Sequence, residues 1–292
     1  MEKTTTTTII LYIFKGIPLP IRKGFFKGLM ILFYHLVSRQ RLITLHNLHR
    51  AFPDLPMGDI ILIAKRVYRH LGIVAAEFFE LPWITKESLH KWVDVEGLEN
   101  YRTAMTKNKG MLTIIGHFGN WEMMPVVFPL IAESAYILYR PLDNPILENL
   151  ITWVRSCNGN TLIAKEGSGR TIIRLLQKNK VFGILSDQNV SVQEGVFADF
   201  FGRPACTGVG LAVLAMRSGA PVVPTFMPRM KNGKYKYIFL PPVEIDDTGD
   251  YEKDLLTNTQ RFTRVIETIV RQYPDQWFWL HQRWKTKTCQ TQ

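Results

Sequence analysis

The sequence predicts an α/β fold built on a largely parallel sheet, and two observations carry the prediction. From Gly110 onward, short apolar runs rich in β-branched residues alternate with longer stretches whose apolar residues recur at helical spacing, the pattern of strand–helix–strand units. Three of the runs end in polar residues, His117 after the first, Tyr139 and Arg140 after the second, Asp187 and Gln188 after the third. Open α/β sheets hold their ligands at the carboxyl ends of their strands, so these residues are expected to converge on one crevice.

Taken in chain order, the threonine run Thr4 to Thr8 is expected to be a disordered tip. Ile9 to Phe14 and Phe25 to Val37 are the most apolar stretches, separated by Pro18, Pro20, Arg22 and Lys23. Neither reaches the roughly 20 apolar residues of a membrane-spanning helix, and Lys27 interrupts the second. Residues 1–38 are therefore expected to form an interfacial or re-entrant membrane anchor ahead of a catalytic domain over residues 39–292. No small-residue cleavage site follows, so a secretory signal is not expected. Asp59 to Leu81 carries a helical stripe through Ile60, Ala64, Val67, Leu71, Val74 and Phe78, with Asp59 as N-cap and His70 as a structural histidine. Strands are expected at 111–115, 135–139, 181–186 and 221–226, with helices near 121–131, 145–156, 169–178 and 208–218 between them. Asn232-Gly233 signals a hairpin, and a last amphipathic helix runs from about Tyr251 to Gln272.

The net charge is +11. Nucleic acid is the first partner such an excess suggests, yet there is no zinc-finger spacing, no RNP-like string and no long basic helix. Anionic membrane surfaces and acidic proteins remain. Lys15, Arg22, Lys23 and Lys27 flank apolar residues near the N-terminus, which fits the cytoplasmic face of a membrane. The cysteines Cys157, Cys206 and Cys289 are widely spaced, so neither a disulfide framework nor a zinc site is expected and the compartment is a reducing one. His46 and His49 lack an acidic partner at metal-ligand spacing. No metal and no cofactor is expected.

The segment GMLTIIGHFGNWE, Gly110 to Glu122, reads as strand, tight loop and helix start. His117 falls in the loop and Glu122 in the first helical turn, folded back on the imidazole to fix its tautomer and stabilise its cation. The backbone amides near Gly119 and Asn120 are candidate oxyanion donors. Arg140 presents a guanidinium suited to a phosphate, and Arg155 stands where a helix C-terminus also favours a cation. Thr207 is expected to cap the helix that follows it. Trp277, Trp279 and Trp284 alternate with His281, Arg283 and Lys285, a composition of membrane interfaces or of a packed C-terminal cap.

HFGNWE, YRPLDNP (Tyr139 to Pro145), LSDQ (Leu185 to Gln188), DFFGRPACT (Asp199 to Thr207) and GAPVVPTF (Gly219 to Phe226) together resemble the bacterial lipid A biosynthesis acyltransferases of the His-x4-Asp/Glu superfamily. The resemblance extends to NLHRAFPD (Asn47 to Asp54) and PDQWFWLHQRWK (Pro274 to Lys285), in the expected order over nearly the whole chain. It implies a glycerolipid-acyltransferase-like mixed, largely parallel sheet flanked by helices, with an N-terminal membrane-associated helical segment. The implied activity moves a fatty acyl chain from a thioester, on acyl carrier protein or CoA, to a hydroxyl of a membrane glycolipid at the inner membrane, with the site facing the cytoplasm. His117 is then the general base and Glu122 its partner; Asn120, Tyr139, Arg140, Arg155, Asp187 and Gln188 bind substrate or support the chemistry, and Phe200 and Phe201 line an acyl pocket unless they fill core. The rival readings are a thioesterase or lipid hydrolase, in which His117 activates water, and a non-catalytic lipid-binding protein.

Overall fold

The computed structural model describes residues 4–288; Cys289 and the first three residues of the N-terminal segment lie outside them. Four helices come first, α1 (Thr5–Gly16), α2 (Leu19–Leu36), α3 (Ser38–Ala51) and α4 (Met57–Phe78). Then follow β1 (Val93–Glu96), α5 (Leu98–Met105), β2 (Met111–Ile115), α6 (Met124–Ile131), β3 (Tyr136–Tyr139), α7 (Pro145–Ser156) and β4 (Thr161–Ala164). The remainder is α8 (Gly169–Leu176), β5 (Val181–Leu185), β6 (Gly195–Asp199), β7 (Pro204–Gly208), α9 (Gly210–Ser218), β8 (Val222–Phe226), β9 (Tyr235–Phe239) and α10 (Tyr251–Gln272).

Seven strands form one sheet in the order β1-β9-β8-β2-β5-β3-β4. Every neighbouring pair is parallel except β8–β9, which the turn at Asn232-Gly233 joins as a hairpin. The fold is thus α/β, with a mixed, mostly parallel sheet flanked by helices. The period-2 alternation of strand side chains separates two cores. Leu112, Ile114, Phe182, Val222 and Phe226 face one, with α3, α8, α9 and α10 packed over them. Met111, Val181, Val223 and Met227 face the other, beneath α6 and α7.

Several local expectations need correction. Thr4 to Thr8 is not a loose tip: Thr4 caps α1 by accepting from the amide of Thr7, and the buried Thr7 hydroxyl donates to Asn149 Oδ1 at 2.6 Å. A partner on α7, so far along the chain, leaves no local trace in a threonine run. α4 begins at Met57 behind Pro56, so Asp59 stands inside the first turn rather than at the cap, where its charge still complements the helix dipole. Thr207 does not cap α9. It lies in β7, which pairs with β6 in a separate antiparallel hairpin, and its hydroxyl bonds to Ala205 O and to the guanidinium of Arg283.

The N-terminal helices are tied to this body by packing and by charge. Gly72 of α4 lets α2 approach so closely that a Cβ there would lie 2.7 Å from Phe26 O. Beside this contact sits Glu77, fully buried. Its carboxylate meets Lys23 Nζ of α2 at 2.7 Å, the Tyr235 hydroxyl at 2.6 Å, Asn120 Nδ2 at 3.2 Å and Arg229 Nε at 4.0 Å. Arg22, also buried, donates to Glu80 and to Phe14 O. Among the described residues no helix is long and apolar enough to cross a membrane.

The chain after α10 is core rather than interface. Trp277, Trp279 and Trp284 are buried, the first two almost completely, which corrects the membrane-interface reading of these tryptophans in favour of the packed cap. Arg283 is buried with them and donates to Cys206 O at 2.9 Å. His281 Nε2 accepts from the backbone N–H of Asn189 at 2.8 Å. Burial pushes its imidazole down to about 4, so it is neutral at neutral pH.

Two outcomes are expected. Lys23→Met strips the nearest cation from a buried carboxylate, which costs about 3 kcal/mol, the lower end for such a loss because Arg229 remains; the midpoint of urea unfolding measures it. For His281, the unfolded side chain takes up a proton near its ordinary value of 6.5 whereas the folded one resists until about 4. Stability that is intact above pH 6.5 is therefore lost as pH falls through that window. Urea midpoints of a His281→Gln variant are expected to change less than wild type between those pH values.

Candidate active site

The site arises from strand register. β2 and β5 are parallel neighbours with Ile115 opposite Leu185, and Ser186 N donates to Ile115 O at 3.1 Å, extending the ladder by one step. The residues two beyond that pair are His117 and Asp187, and the parallel register sets them side by side. The chain passes from β2 to β3 on one side and reaches β8 on the other, so the pair sits at a topological switch point of the sheet, where α/β folds open a crevice.

Asp187 is buried and takes three donors. Its Oδ1 accepts from His117 Nδ1 at 2.7 Å; its Oδ2 accepts from the His117 backbone N–H at 2.7 Å and from Trp277 Nε1 at 2.7 Å. Burial alone pushes the carboxyl up, but the His117 side chain and these hydrogen bonds outweigh it and hold the group below the usual carboxylate range. An ionised carboxylate only accepts, so the neutral ring is held in the tautomer with its proton on Nδ1 and its lone pair on Nε2. Nε2 faces the exposed Gln188, whose amide nitrogen lies 3.5 Å away. The histidine side chain is 20% exposed, enough for its outer nitrogen to meet a substrate while its inner one is fixed.

Glu122 does not fold back on the imidazole. Asn120 Oδ1 accepts from Met123 N at 3.0 Å and closes a turn over residues 121–123 before α6 begins. The turn delivers Glu122 to α7, where Arg155 grips it side-on, Nε to Oε2 at 2.9 Å and Nη2 to Oε1 at 2.7 Å. Trp121 Nε1 adds a third bond at 3.0 Å. Burial opposes ionisation, but Arg155, and then His117 through space, hold this carboxyl low as well. The Trp121 ring, which donates to Glu122, also stands edge-on to the His117 ring at 5.7 Å between centroids, so the Glu122–Arg155 pair meets the histidine through this tryptophan.

The two proposed oxyanion amides are already engaged. Gly119 N donates to Gln276 O at 2.9 Å and Asn120 N to Met227 O at 3.2 Å. Gly119 has φ +60, and a Cβ would fall 1.9 Å from Met227 O, so only glycine passes here. Its carbonyl is bound by His70 Nε2 at 2.9 Å, and burial holds that buried imidazole below its ordinary value. The Asn120 side chain points into the Glu77 cluster, away from His117.

Of the other residues singled out in the sequence, Arg155 borders the site with its side-on fork occupied by Glu122. Tyr139 ends β3 half-buried, its phenol raised by burial and by the neighbouring Glu148, and Arg140 is exposed just beyond it. Phe200 and Phe201 pack inward. Both are buried, ringed by Phe52, Trp277, Trp279 and Trp284, and fill core. Sequence reasoning missed Trp277 as a donor to Asp187 and Glu77 as the anchor of Asn120. Only the tryptophan carried a signal, a polar indole N–H inside an apolar run, which needs a partner when buried.

The chain matches the family model described as bacterial lipid A biosynthesis acyltransferase over residues 4–286. It is 28% identical over 281 residues, 95% of this chain and 90% of the relative, to the lipid A biosynthesis lauroyltransferase of Escherichia coli (strain K12). It is 27% identical over 253 residues, 86% of this chain and 80% of the relative, to the lipid A biosynthesis palmitoleoyltransferase of the same strain. A phosphatidylinositol mannoside acyltransferase of Mycobacterium tuberculosis (strain ATCC 25618 / H37Rv) is 27% identical over 162 residues, 51% of this chain and 49% of the relative. With a match that runs through the His117 loop, the Asp187 turn and the tryptophan cap alike, the chain belongs to the bacterial lipid A biosynthesis acyltransferase family and is an acyltransferase.

Proposed function

We propose that the protein transfers a fatty acyl chain from acyl carrier protein to a hydroxyl of a lipid A precursor, with His117 as general base. The observation that carries this reading is the outward Nε2 of His117, with Nδ1 held by the Asp187 carboxylate at 2.7 Å. The acceptor hydroxyl gives its proton to Nε2 as its oxygen attacks the thioester carbonyl; a tetrahedral oxyanion forms, and its collapse expels the thiolate, which recovers the proton from the imidazolium. No acyl-enzyme is required. Asp187 stabilises the transient cation, the role the sequence reading gave to Glu122. Glu122 and Arg155 instead set Trp121, and through it one wall of the histidine, while Gln188 borders the reacting atoms. Arg140, exposed at the end of β3, is the guanidinium left to meet an acceptor phosphate.

The N-terminal segment, residues 1–38, supplies the membrane contact in this reading. Ile21, Phe25, Leu29, Leu32 and Leu36 recur on one face of α2, each between 46% and 72% exposed, and Ile9, Tyr12 and Ile13 of α1 are exposed as well. An apolar stripe open to solvent on a helix too short and too charged to span suits a helix lying in the headgroup region. The cytoplasmic side of the inner membrane is where acyl thioesters and such a surface meet.

Purified His117→Ala is expected to lose roughly 10²- to 10⁴-fold in transfer rate, and Asp187→Asn to lose nearly as much because it no longer fixes the tautomer. Glu122→Gln is expected to lose less than Asp187→Asn. Steady-state assays with labelled acyl carrier protein and a lipid A precursor measure all three, and near wild-type turnover of folded His117→Ala would remove the mechanism. A Phe25→Asp, Leu29→Asp double variant is expected to lose flotation with phosphatidylglycerol-containing vesicles while its circular dichroism is unchanged.

A further inference from the structure

One cationic surface takes no part in the site described above. A groove of about 830 Å³ runs between α4, the β8–β9 turn and the segment after α10. Arg66 and Arg69 enter it from α4, and Arg229 and Lys231 from the turn; the one acid lining it is Asp275. Arg66, Arg69 and Lys231 are exposed, and among the described residues none of the three makes an ion pair. Ile73 and Met230 give it apolar patches between the charges.

The floor of the groove is continuous with the catalytic loop. His70 and Gln276 line it. His70 Nε2 binds Gly119 O at 2.9 Å and Gln276 O accepts Gly119 N at 2.9 Å, two residues from His117. Two residues past Gln276, Phe278 N donates to His117 O at 2.9 Å. The Gln276 side chain in turn clasps Arg229, accepting from its N–H at 2.7 Å and donating to its carbonyl at 2.8 Å. Whatever seats on the cations therefore rests one loop away from the general base.

We infer that this groove docks an acidic, helical protein, the carrier that presents the acyl thioester to His117; the inference rests on the acyl-transfer reading given above. Three exposed cations drawn from two elements, with Arg229 behind them on Glu77, match a row of carboxylates on a helix rather than one phosphate. A bilayer is flat and does not fill a concave surface, and the exposed apolar stripe of α2 offers a face better suited to it. Met230 and Ile73 supply the adaptable apolar contact that a helical partner's small apolar residues need.

The test is charge reversal at exposed positions, Arg66→Glu with Arg69→Glu, and separately Lys231→Glu. Transfer is followed with acyl carrier protein as donor and with a small neutral donor, the acyl N-acetylcysteamine thioester. Expected is a rise in KM for the carrier-borne donor of roughly 10-fold or more, little change in kcat, a flatter salt dependence and unaltered kinetics with the small donor. Fluorescence anisotropy of labelled carrier protein is measured alongside and is expected to report weakened binding in both variants. Unchanged KM and anisotropy would overturn the inference, as would equal losses with both donors or a loss confined to binding of phosphatidylglycerol vesicles. Wild-type enzyme that binds the carrier but transfers from neither donor would strike the acyl-transfer reading and leave the docking result standing on the anisotropy.

Discussion

The carboxylate of Asp187 is the point on which the site depends. It is buried, it carries charge, and it is tolerated there because three donors converge on it: the backbone and ring of His117 and the indole of Trp277. Those donors come from the end of β2 and from the segment after α10, while the acid itself comes from the end of β5. A single charge thereby welds three distant parts of the chain and, in the same act, decides which nitrogen of His117 is free. The parallel register of β2 and β5 makes this possible without any special loop, since equal steps past Ile115 and Leu185 arrive at the two residues.

A second buried carboxylate, Glu77, plays the corresponding part behind the loop. It joins Lys23 of α2, Tyr235 of β9 and Asn120. Asn120 in turn closes the turn that carries Glu122 to Arg155. The helix with the exposed apolar stripe is thus linked by ionic and hydrogen bonds, through one side chain, to the residue three places after His117. Burial and the adjacent Glu77 hold the Tyr235 phenol well above its usual value, so that it serves as a donor throughout. Two carboxylates, one in front of the loop and one behind it, hold the histidine in place.

Much of the fold was legible because it is written in local periodicity. The strands at 111–115, 136–139, 181–185 and 222–226 and the helix Tyr251–Gln272 stand within a few residues of where apolar alternation and helical spacing put them. His117, Asp187 and Gln188 were legible as strand-end residues expected to share a crevice. What sequence could not supply was the pairing. Two acids stood near the histidine in the reading, Glu122 five residues away in sequence and Asp187 seventy; proximity favoured the first, and strand register favours the second. The amides of Gly119 and Asn120 resembled a free helix N-terminus because nothing local reveals that Gln276 O and Met227 O occupy them. The tryptophans of the cap left interface and packed cap both open for the same reason, as amphipathic composition is common to membrane belts and to cores whose indoles find partners.

The isolated bridge between Phe118 and Trp277, with Phe278 N on His117 O and Trp277 Nε1 on Asp187, has a consequence for the order of events in biosynthesis. His117 and Asp187 stand well ahead of Trp277 and Phe278 in the chain, so their surroundings are completed by residues synthesised after both. Until Trp277 and Phe278 leave the ribosome, Asp187 lacks its indole donor and the His117 carbonyl lacks the Phe278 amide. A product ending ahead of Trp277 therefore carries His117 and Asp187 without the indole donor and the backbone contact that complete their frame.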